Sequence, residues 1–273
     1  MTMERNSAAP VNTRRRYDSS GRRERARQAR DQITGIAEDL FLSRGYAATT
    51  VAAIAAQARV SVETIYKSFG GKPGLVRAIV ERGLAGAGPV PAEQRSDQIR
   101  DTVPDPRQIL AAWGAFVTEI APRTAPILTL ARDAAASDPE LAALLGEISA
   151  ARLERMTVNA RALAEAGHLR PGITLAQAAD ILWTYSSPEL YELLVLRRGW
   201  PAEYYGRFIA QAMIAALLPP TATRQDAPAG SPAPGARRPA RPPGSARYVA
   251  PGSLIDMSQC PRRLGGSRAL RTS

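Results

Sequence analysis

The sequence predicts an all-α protein built in two helical parts, and three observations carry that reading. Apolar residues recur at helical spacing along the middle of the chain, with no strand-like alternation between the stripes. Capping residues, Pro and Gly punctuate those stripes where helices should start and stop. The charge is segregated: of 273 residues, 36 are Lys or Arg and 25 are Asp or Glu, but the excess lies at the ends. Residues 1–30 hold nine Arg against three acids, residues 219–273 hold nine Arg against two, and the middle is nearly neutral.

Residues 1–21 carry Pro10, Gly21 and several Asn, Ser and Thr without periodicity, so they read as a disordered basic arm. From Arg22 to Arg44, Ile33, Ile36, Ala37, Leu40 and Phe41 form one stripe of an amphipathic helix, and Gly45 supplies its stop. Thr49 or Thr50 can cap a second, short helix with Val51, Ile54, Ala55 and Ala58 facing inward. A turn at Arg59-Val60 follows, and Ser61 can cap a third helix that runs through Phe69. After Gly70-Gly71, Leu75, Val76, Ile79, Val80 and Leu84 make a further stripe. Residues 22–86 thus form a first domain, with a Gly/Pro-rich and polar linker over 87–106.

The second domain, 107–218, reads as helices near 107–121, 125–136, 138–166, 174–186, 188–198 and 201–218. Asp138-Pro139-Glu140 and Ser187-Pro188-Glu189 each place a capping side chain before Pro at the first helical position. Residues 219–273 include ten Pro and six Gly, a composition that predicts a disordered Pro/Gly/Arg-rich tail.

One Cys (Cys260) and one His (His168) exclude a disulfide framework, a Cys/His zinc site and a His-dependent triad within the chain. With no P-loop or carboxylate cluster either, the expectation is a protein without catalytic residues, cofactor or metal. The N-terminus has no apolar core of a signal peptide and no stretch long enough to span a bilayer, so a cytoplasmic location is expected, without membrane attachment. Two basic flanks on a neutral body point to a polyanion, nucleic acid or an anionic surface.

The segment from Ala48 to Leu75, ATTVAAIAAQARVSVETIYKSFGGKPGL, is two helices joined by a tight turn and then Tyr-x-x-Phe-Gly-x-Lys. Thr50-Val51, Ile54-Ala55, Val60-Ser61, Thr64-Ile65-Tyr66, Phe69-Gly70 and Lys72 resemble, in register, the DNA-binding signature of the TetR family of transcriptional regulators. The resemblance extends over about residues 22–218, through Asp138-Pro139-Glu140-Leu141, Leu169-Arg170-Pro171 and the stretch Trp183 to Trp200. Two positions depart from the pattern: Arg59 stands where the family usually has Gly in the turn, and Ser68 where an aromatic or His is common.

On the third helix, Ile65, Phe69 and Val62 share one face while Glu63 and Lys67 point the other way. Glu63 can accept from cytosine N4, Thr64 can touch a thymine methyl, and Tyr66 and Lys67 can reach phosphates or a base edge. Glu63 and Lys67 read equally well as an i,i+4 surface ion pair. Thr50 and Ser61 are helix caps whose neighbouring N–H groups can face phosphate. The resemblance makes Tyr66 and Lys72 phosphate contacts. Arg14, Arg15, Arg16, Arg22, Arg23, Arg25, Arg27 and Arg30 have few acids nearby, so they read as an arm for a DNA backbone or as a solubilising segment.

The second domain's Trp113, Phe116, Arg132, Trp183, Tyr185 and Glu189 are candidate residues for an apolar pocket with a few polar groups, most being core on the simpler reading. The resemblance implies that this domain binds a small apolar effector. Segments 174–198 and 201–218 offer apolar faces with Ala178, Ala179, Ala212, Ala215 and Ala216, suited to a four-helix homodimer interface or to burial within the chain. The expectation is an N-terminal three-helix helix-turn-helix DNA-binding domain and a C-terminal helical ligand-binding and dimerisation domain. Its function would be that of a ligand-responsive repressor reading palindromic operator DNA. The alternatives are a basic, non-specific DNA-binding or membrane-surface protein driven by its flanks, and a ligand carrier or enzyme with a vestigial head.

Overall fold

The computed structural model describes residues 20–220 except Ala87 and Pro89. The expected arm over residues 1–19 and the tail beyond 220 lie outside the described residues. Ten α-helices follow one another there, with no strand among the described residues. They are α1 (Ser20–Arg44), α2 (Val51–Ala58), α3 (Val62–Phe69), α4 (Lys72–Ala85), α5 (Ala92–Thr102), α6 (Pro106–Ala135), α7 (Pro139–Glu165), α8 (Leu175–Tyr185), α9 (Pro188–Tyr191) and α10 (Ala202–Leu217). A π-helical turn, Glu192–Arg197, continues α9.

Helix ends fall where local chemistry puts them. Thr50, Ser61, Asp105, Asp138 and Thr174 each accept a backbone N–H at a helix start, and Thr174 and Gln177 close a reciprocal capping box. Ser187 occupies the expected N-cap of α9, but its side chain makes no capping bond. Gly45 adopts φ +85° and ends α1, as its place after the apolar stripe requires.

Three elements differ from the sequence reading. The segment read as linker contains α5, a polar helix whose sequence AEQRSDQIRDT has no wide apolar stripe to announce it. Its Arg95 holds Glu119 of α6 at 2.7 Å, so the helix is tied to the second domain by charge. The expected break between 121 and 125 is absent: α6 runs unbroken for 30 residues through Pro122 and Pro126. Proline in a helix interior removes a backbone bond and costs about 3 kcal/mol. Here α6 packs against α4, α7 and α10, and that burial outweighs the local penalty. Finally, α1 begins at Ser20, and Arg25, Arg27 and Arg30 on it have internal partners: the Gly21 carbonyl, Glu24 with Asp31, and the Ser68 carbonyl.

Two buried clusters organise the described chain. The first gathers α1 to α4 around Phe41, Ile54, Ile65, Leu75 and Ile79, and continues into Ile127 and Ala131 of α6 and Leu141 and Leu144 of α7. The second lies among α6, α7, α8 and α10 around Leu110, Trp113, Leu163, Leu182, Tyr205 and Ile209. At the α6–α10 crossing a Cβ on Gly114 would stand 2.6 Å from that of Ala210, and one on Gly206 would stand 1.8 Å from Thr118 Oγ1. Only hydrogen at these positions lets the two backbones approach so closely. Ala178 and Ala179, read as possible interface residues, are buried in this second cluster; Ala212, Ala215 and Ala216 of α10 remain partly or fully exposed.

Candidate nucleic-acid interface

The two-helix unit α2–α3 is set by its turn. Arg59 takes φ +56° and ψ +42°, the left-handed conformation, and is the only non-Gly residue with positive φ among those described. Its N–H and that of Val60 bond back to Ala56 and Ala55, closing α2 and turning the chain into α3. A Cβ in this region costs energy that Gly avoids, so this chain meets the geometry of the turn at some expense in stability.

The α3 helix lies on the head by Ile65 and Phe69, both buried, with Arg30 of α1 clamping its end. The Arg30 guanidinium donates to the Ser68 carbonyl at 2.6 Å and stacks on the Phe69 ring at 4.3 Å. Val62, placed on the inner face by the wheel, is 40 % exposed because it opens the helix beyond the edge of that contact. The remaining face is free: Glu63, Thr64, Tyr66, Lys67 and Ser68 are all exposed. No ion pair joins Glu63 to Lys67 among the described residues, so both charged groups are available on this surface. The Thr64 hydroxyl lies 2.8 Å from that of Ser61, whose oxygen also accepts the Thr64 N–H at 3.1 Å. Thr50 is exposed and accepts the Ala53 N–H at 3.1 Å, so the N-termini of α2 and α3 each carry a hydroxyl cap.

Lys72 sits differently from the other six. Its ammonium donates to the Tyr46 carbonyl at 2.5 Å and lies 4.0 Å from the centre of the Tyr46 ring. Burial lowers its pKa, and the Asp138 carboxylate works against that shift. The Tyr46 hydroxyl donates in turn to Asp138 Oδ2 at 2.8 Å, while Asp138 Oδ1 accepts the Leu141 N–H at 3.0 Å. The Leu141 N–H, then the Tyr46 hydroxyl, hold the Asp138 carboxyl below the usual range. Burial and that same carboxylate push the Tyr46 phenol up. The sequence offered no sign of Tyr46 or of this use of Asp138, because the partners are 92 residues apart.

A cleft of about 360 Å³ opens beside this contact, between Phe69, Gly70, Pro73, Gly74 and Arg77 of the head and Glu140, Ala143, Leu144 and Glu147 of α7. Arg77 bridges it to Glu147 at 2.5 Å.

The six residues read as pocket candidates do not converge on one place. Trp113 is buried in the second cluster and its indole N–H has no hydrogen-bond partner. Phe116 and Tyr185 pack against that cluster from its edge, with Arg95 stacked over Phe116. Trp183 lies under the Arg152 guanidinium, 4.6 Å from its ring centre, and Arg152 also donates to the Trp183 carbonyl and to Ser186 at the end of α8. Arg132 and Glu189 do come together, 3.9 Å apart, around a third residue the sequence reading missed. That residue, Glu192 in the π-turn, is buried between Arg132 at 2.9 Å and the Nε of Arg197 at 3.0 Å; these guanidiniums, Arg132 first, hold its carboxyl low. Within the body, Asn159 Oδ1 and the Tyr205 hydroxyl are also buried without partners. No group of three or more metal-ligating side chains occurs among the described residues, and no helix there is long and apolar enough to cross a membrane.

Comparison with known proteins bears on the same surface. Residues 33–79, from the α1 stripe to the middle of α4, match the model of bacterial regulatory proteins, tetR family. Over 75 residues the chain is 33 % identical to the uncharacterised HTH-type transcriptional regulator YvkB of Bacillus subtilis (strain 168), which is 28 % of this chain and 40 % of that relative. In fold it is similar to native NalD of Pseudomonas aeruginosa, the secondary repressor of the MexAB-OprM multidrug efflux pump, with a TM-score of 0.55. That likeness covers 71 % of this chain and 98 % of NalD at 21 % identity. It is similar too to SmeT in its triclosan complex, with a TM-score of 0.53 and 21 % identity over 79 % of this chain and 100 % of SmeT.

Proposed function

We propose, from the premise that this chain belongs to the TetR family of bacterial regulatory proteins, that it is a ligand-responsive repressor binding a palindromic operator as a homodimer. The observation that carries the proposal is the division of α3 into a buried face, Ile65 and Phe69, and an exposed one, Glu63, Thr64, Tyr66 and Lys67. A helix held this way can enter a major groove with its N-terminal residues at base edges. Glu63 and Thr64 then read bases, Tyr66 and Lys67 hold the backbone, and the caps at Thr50 and Ser61 turn helix N-termini toward phosphate.

The body supplies the proposed sensor and dimer surface. Its buried Trp113, Asn159 and Tyr205 have polar atoms without partners, which a small, mainly apolar effector with a few hydrogen-bonding groups would complete. Leu193 and Leu196 after α9, each about half exposed, and the Ala212, Ala215 and Ala216 face of α10 are the apolar surfaces for a second copy. That SmeT is known in complex with triclosan, and that NalD is a repressor, supports the same reading. Effector releases DNA by favouring the arrangement that cannot bind it, through about 1–3 kcal/mol of coupling, with α4 as the connecting helix between head and body.

The test is duplex binding by the full chain across a range of salt. Lys67→Ala should reduce the salt slope by about 1, and Thr64→Ala should relax preference at one base position by about 1–3 kcal/mol. Tyr66→Ala should weaken binding to all sequences alike. Unchanged affinity in both Tyr66→Ala and Lys67→Ala would place DNA binding on the basic flanks.

A further inference from the structure

We propose that Tyr46 couples the head to the body through a connection additional to the packing of α4 along its length, by holding Lys72 at one end and the first turn of α7 at the other. The connection is short and continuous. The Lys72 ammonium rests on the Tyr46 carbonyl at 2.5 Å and on its ring, and the Tyr46 hydroxyl rests on Asp138 at 2.8 Å. Each end is fixed to a different element. Lys72 is the first residue of α4, directly behind α3, and Asp138 is the N-cap of α7.

The middle of the connection is rigid. Tyr46 is buried, stacked on Phe41 with ring centres 5.3 Å apart, and it precedes Thr49, whose buried hydroxyl donates to the carbonyls of Leu40 and Gly45. A displacement of the first turn of α7 therefore cannot be absorbed by rotation of the Tyr46 side chain alone; it moves the turn that leads into α2 and the partner of Lys72. Lys72 is also the first cation after the end of α3 along the chain, so a phosphate placed there competes with the Tyr46 carbonyl for its ammonium. By linkage, whatever pulls on Lys72 from the DNA side must be felt at Asp138, and the reverse.

The chain's composition makes this measurable, because Lys67 and Lys72 are its only lysines. Full-length protein labelled with carbon-13 at lysine Cε should give two side-chain signals, exposed Lys67 serving as the internal control. Asp138→Ser keeps a good N-cap for α7 but is too short to reach Tyr46, while Tyr46→Phe keeps the ring and the carbonyl and loses only the hydroxyl. Asp138→Ser should shift the Lys72 signal and leave that of Lys67 in place. In the Tyr46→Phe background the same change should have little further effect on Lys72. A Lys72 signal that ignores Asp138→Ser overturns the proposal. So does an equal shift in both backgrounds, which would be the direct field of the lost carboxylate.

The functional consequence is read with duplex DNA. Asp138→Ser and Tyr46→Phe should each weaken binding by a similar factor, roughly three- to tenfold, with the double variant no weaker than the worse single. Wild-type affinity in both variants, or effects that multiply in the double, would overturn it. This second readout rests on the DNA-binding reading above, and the two failures are distinguishable. If that reading is wrong the unaltered chain does not bind duplex DNA through its head, whereas if the coupling is wrong the unaltered chain binds and the variants bind equally well.

Discussion

The head and the body solve the problem of buried polar groups differently. Among the described residues, the head, α1 to α4, leaves no buried side-chain polar atom without a partner: Thr34 and Thr49 bond to backbone carbonyls, and Tyr46 bonds to Asp138. The body has Trp113, Asn159, Trp183 and Tyr205 in that state, with Arg95 Nε on α5 beside them. A segment that must present one surface to DNA gains from a single, fully satisfied arrangement. If the body answers to a ligand, as proposed, these polar atoms are ones the ligand can satisfy, at a cost in stability when it is absent.

The largest effect expected tests whether these regions are separable at all. Ile127 of α6 is buried in the cluster it shares with α1 to α4. Ile127→Ala should cost about 2–5 kcal/mol, and in denaturant titration head and body should still unfold in one transition. A head that melts separately from the body would break the comparison by showing that the shared cluster carries little energy.

Next in size is the α6–α10 crossing. Gly to Ala inside a helix ordinarily gains about 1 kcal/mol. At Gly114, where the new methyl would meet Ala210 and the Gly206 carbonyl, the substitution should instead cost about 1–3 kcal/mol. A stabilised Gly114→Ala protein would mean that the body repacks readily, and is looser than its close helix contact indicates.

Two smaller effects should go the other way. Tyr205 is fully buried with an unpartnered hydroxyl, and burial pushes its phenol up. Tyr205→Phe should therefore raise the melting temperature, by about 1 kcal/mol of stability. Loss of stability would show that the hydroxyl has a partner in solution. In the head, Arg59→Gly should stabilise by about 0.5–1 kcal/mol, because Gly adopts the left-handed turn without strain. An unchanged or lower midpoint would show that Arg59 compensates its strain through contacts of its side chain.

What was legible in the sequence was what depends on neighbours in the chain. Helix starts at Thr50, Ser61 and Asp138 follow from side chains that bond their own first turn, and the buried stripes of α1 to α4 follow from spacing. The exposed residues of α3 were legible for the same reason, since the wheel alone separates Ile65 and Phe69 from Glu63 and Lys67. What was illegible depends on distant partners. Pro122 and Pro126 obey a local rule that packing on three helices overrides. The α5 helix carries too few apolar residues to show a stripe, and Glu192 gains its meaning only from Arg132, 60 residues away. The Lys72–Tyr46–Asp138 connection spans three elements that no local pattern relates.

The most direct test of site-specific reading by the head is selection of bound fragments from random-sequence DNA by the purified full chain at moderate salt, followed by sequencing. An inverted-repeat consensus that degrades at one base position per half-site in Thr64→Ala is the predicted result. Binding without any consensus, unaffected by Thr64→Ala and Tyr66→Ala, would contradict it and assign the affinity to the Arg-rich ends of the chain.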